Sequence, residues 1–105
     1  MAEKRQFPRK RRRLIVEFEW EKTPCTGFTY DISSAGIFIR ATRFPKPGAR
    51  ITATIVLPGD KPVKVRGTVV RTFRVPATLT RLIPSGFSMR LTEQPEEYLA
   101  FLAAI

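Results

Sequence analysis

The chain of 105 residues is 43% hydrophobic, enough for one buried core, and its 19 lysines and arginines against nine acids give a formal charge of +10. Such charge attracts phosphates, anionic lipid or an acidic protein surface. The absence of histidine removes the commonest general base, the usual nucleophile pairs and the commonest metal ligand, so catalysis is not expected.

The lone Cys25 has no partner for an internal disulfide and no companions for a zinc site, so neither a metal nor a cofactor is expected. No apolar stretch approaches the roughly 18 residues of a membrane span, and the N-terminus lacks the apolar segment of a signal peptide. The expected compartment is the cytoplasm.

Residues 1–13 carry almost no apolar periodicity and end in the run Arg9, Lys10, Arg11, Arg12, Arg13. They are expected to form a flexible basic arm. From Leu14 the pattern alternates, with Leu14, Val16, Phe18 and Trp20 on one face and Ile15, Glu17, Glu19 and Glu21 on the other, as in a half-buried strand. "KTPC" reads as a turn, Thr26 to Asp31 as a second strand, and "SSAG" as a break before a third over 37–41. "RFPKPG" reads as a loop. Ile51 to Leu57 and Val63 to Val69 alternate on either side of "PGDKP", which predicts a hairpin. After an irregular stretch, "GFSMRL" supplies the last strand.

The period then changes. Pro95, Glu96 and Glu97 suit a helix start, and Tyr98, Phe101, Leu102 and Ile105 form an apolar stripe. So short a helix must dock on the β-domain or on another chain, in a monomer or a dimer respectively. Six short strands with tight connections predict an all-β fold: a small antiparallel six-stranded barrel over 14–92, because closure removes exposed edges, with a C-terminal helix over 93–105.

Two short segments carry the functional signal. In "RQFPR", Arg5 and Arg9 stand at R-x-x-x-R spacing, and "DISSAG" places Asp31, Ser33 and Gly36 in a D-x-S-x-x-G pattern. With a strand between them and the barrel pattern around them, the chain resembles the bacterial PilZ domains. That resemblance implies a six-stranded barrel with a C-terminal helix and a receptor for cyclic diguanylate (cyclic di-GMP). It assigns Arg5 and Arg9 as the arginine pair and Asp31, Ser33 and Gly36 as the second motif. Many members carry a further arginine where this chain has Lys4, which can neutralise a phosphate but cannot fork onto guanine. Arg9 and Arg13 also meet the spacing, and Arg13 is a secondary candidate.

The residue chemistry suits the ligand independently. A guanidinium meets guanine O6 and N7 bidentately, and an ionised Asp31 can accept from N1–H and N2–H on the opposite edge. Ser33, two residues on, is expected on the same side as Asp31, and Gly36 is expected either at positive φ or where the ligand approaches the backbone. Output requires an effector protein. A rival reading is a nucleic-acid-binding barrel that uses the basic arm on phosphates and aromatics on bases. Another is a barrel acting only as a protein adaptor.

Overall fold

The computed structural model describes residues 9–79 and 85–105. Its strands are β1 (Lys10–Arg11), β2 (Ile15–Trp20), β3 (Thr23–Ile32), β4 (Gly36–Arg40), β5 (Arg50–Leu57), β6 (Lys61–Phe73) and β7 (Gly86–Glu93), followed by helix α1 (Glu96–Ala104). Strands β3, β2, β5, β6, β7 and β4 pair in that order, and β4 returns to β3. All the pairings are antiparallel. The result is the expected closed six-stranded barrel, with β1 as an additional short strand on β3.

Strand alternation fills the barrel. Val16 and Phe18 of β2, Ile51, Ala53, Ile55 and Leu57 of β5, Val63, Val65 and Val69 of β6, and Phe87, Met89 and Leu91 of β7 all face inward. Phe18 and Phe87 meet edge to face with centroids 5.2 Å apart.

Two boundaries differ from the sequence expectation. The β2–β3 turn falls at Glu21 and Lys22, with φ of 53° and 64°. Two successive left-handed residues give the tight hairpin whose twist matches its strands, although neither is the usual glycine or asparagine. Strand β3 therefore starts at Thr23 rather than Thr26. Pro24 is tolerated in it because β4 joins only from Phe28 onward, so an N–H missing on that side leaves no ladder bond unmade. Strand β6 continues past Val69 to Phe73, and register shifts at Arg66/Gly67 and Val69/Arg71 bend it so that it pairs with both β5 and β7.

Helix α1 docks on the barrel of its own chain. Tyr98 is fully buried, and Phe101, Leu102 and Ile105 pack partly buried against the core. The Lys10 ammonium donates to the main-chain oxygen of Ile105 at 2.7 Å, tying the entering chain to the end of the helix.

Candidate functional site

Asp31 lies between two irregularities. On the β1–β2 side, Arg11 pairs with Asp31 and Ile15 with Phe28, so four steps along one strand face three along the other. Thr29, 1% exposed, spans this bulge. Its hydroxyl donates to the Arg12 carbonyl at 2.6 Å and accepts from the Leu14 N–H at 2.8 Å, while its own N–H reaches the Leu14 carbonyl at 2.8 Å. On the β4 side, Tyr30 is the extra residue between the Thr29–Ile39 and Asp31–Phe38 pairs. Such bulges re-aim side chains.

Within this frame the Asp31 carboxylate meets Arg9. Nε and Nη2 of Arg9 both donate to Oδ1, at 3.0 and 2.5 Å, with 37% and 23% of the two side chains exposed. Charge-assisted contacts of this kind orient strongly. At this exposure they add about 0–1 kcal/mol to stability.

The turn from Ser33 to Gly36 is held on all sides. Ser33 is 1% exposed, and its hydroxyl donates to the Gly36 carbonyl and accepts from the N–H groups of Ala35 and Gly36. Three consecutive carbonyls of the turn are taken by the C-terminal segment. Tyr98 Oη donates to the Ser33 oxygen at 2.7 Å, Gln94 Nε2 to that of Ser34, and the Leu91 N–H to that of Ala35 at 2.8 Å. Burial raises the Tyr98 hydroxyl above its ordinary pKa, partly offset by the Arg9 charge and the Ser33 hydrogen bond, while Asp31 adds to the rise.

The structure therefore brings Arg9 and Asp31 together and seats Ser33 and Gly36 in the adjoining turn. Ser33 does not share a surface with Asp31. The strand ends at Ile32, which is also buried, and the chain then turns inward, so the strict alternation behind the expectation stops there. Nor does Gly36 adopt positive φ; a Cβ there would come within 2.6 Å of the Met89 carbonyl, so the close approach it permits is that of β7. Arg13 lies over the ring of Phe28, 4.3 Å from its centroid, and Arg11 over Tyr30 at 4.5 Å. Lys4 and Arg5 lie outside the described residues. Sequence reasoning missed Thr29, Gln94 and Tyr98; of these only Tyr98 left a signal, as one apolar position in the helical stripe.

Comparison with known proteins places this arrangement. No curated protein matches the chain. Among solved structures it is similar to the Bacillus subtilis inhibitor of motility (MotI/DgrA), with a TM-score of 0.79 and 20% identity over 98% of this chain and 50% of that one. It thus spans half the length of that chain and shares its fold. A family model of the PilZ domain matches residues 3–104, and the chain belongs to the PilZ domain family.

Proposed function

We propose that this protein is a non-catalytic receptor for cyclic diguanylate, with Arg5, Arg9 and Asp31 as its contacting side chains. The observation that carries the reading is the Arg9–Asp31 fork beside the braced "DISSAG" turn, in a chain that belongs to the PilZ family. An ionised carboxylate is the acceptor that the N1–H and N2–H edge of guanine requires, and guanidinium groups suit its O6 and N7 edge and the phosphates. Ser33 and Gly36 act from behind, by fixing the turn next to Asp31. Lys4 and Arg13 contribute charge.

The signal leaves through the chain's own ties. A ligand that draws on Arg9 and Asp31 acts on β1 and on the turn, and both are bonded to the C-terminal segment, through Lys10 to Ile105 and through Ser33 to Tyr98. Ordering of the basic arm that the sequence predicts, with a shift in helix docking, changes the surface that an effector protein meets.

Isothermal titration at about 150 mM salt tests this, with linear diguanylate and GTP as controls. Saturable binding selective for the cyclic ligand is expected, and the same curve gives the stoichiometry. Equal response to all three guanylates, or none, refutes the reading.

A further inference from the structure

Helix α1 is apolar on the side turned away from the barrel as well as on the side that docks. Leu99, Ala100, Ala103 and Ala104 all face solvent, Leu99 with 40% of its surface exposed. After Glu97 no exposed position of the helix carries a polar side chain. A helix that only had to cover the barrel would set charged residues there; one that is apolar all round is covered all round. Beside this face an apolar cleft of about 320 Å³ opens between Ala100 and Phe101 of the helix and Leu57 and Pro58 of the β5–β6 turn. Charge also divides along the helix. Glu96 and Glu97 occupy its first turn, and the Lys10 ammonium sits at the other end, on the Ile105 oxygen.

We infer that the outward face of α1 is the interface of a two-fold dimer of this chain, with the two helices packed antiparallel. What selects a second copy is that the face complements itself when reversed. With the axis level with Phe101, Leu99 of one copy lies level with Ala103 of the other, large against small, and the contact repeats on the far side of the axis. The acidic first turn of each helix then approaches the end where the other copy carries Lys10. Alanines at 100 and 103 let the helix axes come within about 8 Å. The association is modest, because a nine-residue helix and its cleft bury less than the roughly 800 Å² per partner of a standard interface, and two chains of charge +10 repel. A dissociation constant on the order of 100 μM follows. None of the side chains proposed to contact cyclic diguanylate lies on this face, so the receptor reading and this one can fail separately.

Sedimentation equilibrium of the full chain between about 10 and 500 μM tests the dimer. A monomer–dimer equilibrium is expected at about 150 mM salt, tightening as salt rises to about 500 mM and screens the repulsion. Leu99→Ala is expected to weaken the dimer about tenfold, since the buried side chain is lost twice. Ala103→Leu sets leucine against leucine and is expected to weaken it by a similar factor. Leu99→Ala combined with Ala103→Leu restores large against small and is expected to return the dimer to within about threefold of the parent. All these positions are exposed, so melting temperatures taken at about 5 μM, where each chain is monomeric, are expected to stay near that of the parent. A monomer at every concentration would overturn the inference and leave the face to a partner of different sequence. Tighter association of Ala103→Leu alone, or no recovery in the double variant, would overturn it by showing a face that adheres without register.

Discussion

The barrel has two outer faces built on the same alternating pattern and put to different ends. On β2, β5 and β6, register aligns Glu17 with Thr54 and Lys64, and Glu19 lies exposed two residues along β2. These are short or mobile polar groups that water solvates well. On β3 and β4 the outward positions hold Phe28, Tyr30, Phe38 and Arg40, with Arg11 and Arg13 laid over the rings. The hydrophobic inward half of each strand is equivalent on the two sides, so stability does not demand this difference. Under the proposed function it marks the side that meets the ligand, and both bulges around Asp31 occur there.

The sharpest way to break this comparison is to remove its charged centre. Arg9→Ala and Asp31→Ala should each weaken cyclic diguanylate binding about 100-fold by titration, since each loses charge-assisted contacts worth roughly 1–3 kcal/mol apiece. Their melting temperatures should hardly move, because the pair is partly exposed. Retained binding in both variants would remove Asp31 from the site.

Thr29→Val probes how the ligand-side strand is shaped. It is nearly isosteric, but it strands the Arg12 carbonyl and the Leu14 N–H, so a loss of about 1–3 kcal/mol is expected. Thermal denaturation should show about 4–8 °C for each kcal/mol. A variant as stable as the parent would mean that the bulge is held by something other than the Thr29 hydroxyl.

Tyr98→Phe should cost somewhat less, about 1–2 kcal/mol, by leaving the Ser33 carbonyl without its donor. It also carries a pH signature. The folded state keeps the Tyr98 proton to higher pH than the unfolded chain does, so above about pH 10 the unfolded state has shed a proton that the folded state retains. Stability from this group is fully present below that pH and falls as pH rises, by up to about 1.4 kcal/mol per unit. The variant should lose that part of the alkaline slope; identical slopes in parent and variant would show that Tyr98 titrates as an ordinary surface phenol.

Much of this contrast was legible in the sequence. Alternation identified the inward residues of β2, β5, β6 and β7, and the resemblance to PilZ domains grouped Arg9 with Asp31, two side chains that are in contact. Three things were hidden. The β2–β3 turn was displaced because Glu21 and Lys22 adopt left-handed conformations that their side chains do not advertise, while Pro24 imitates a turn. Ser33 was expected beside Asp31 because period-two reasoning does not know where a strand stops. The bracing of three turn carbonyls by Leu91, Gln94 and Tyr98 is contact between segments about 60 residues apart, which local pattern cannot carry. Pattern encodes which side of a strand is buried; it does not encode what a buried hydroxyl is bonded to.

The smallest expected effect lies on the solvated face, and it calibrates the others. Glu17→Gln with Glu19→Gln removes two exposed charges that have no salt-bridge partner within 4 Å among the described residues. Each change should shift stability by less than about 0.5 kcal/mol. Binding of cyclic diguanylate should stay within about twofold, since Glu17 and Glu19 pair with Thr26 and Pro24, five and seven residues along β3 from Asp31, and charges that far apart are screened over roughly 8 Å at physiological salt. Together the changes raise the net charge by two, so a general dependence on net charge would tighten ligand binding in this variant by more than Arg9→Ala, which lowers it by one, weakens it. A null result here, together with a large loss at Arg9, would establish that recognition depends on where the guanidinium sits and not on how positive the protein is.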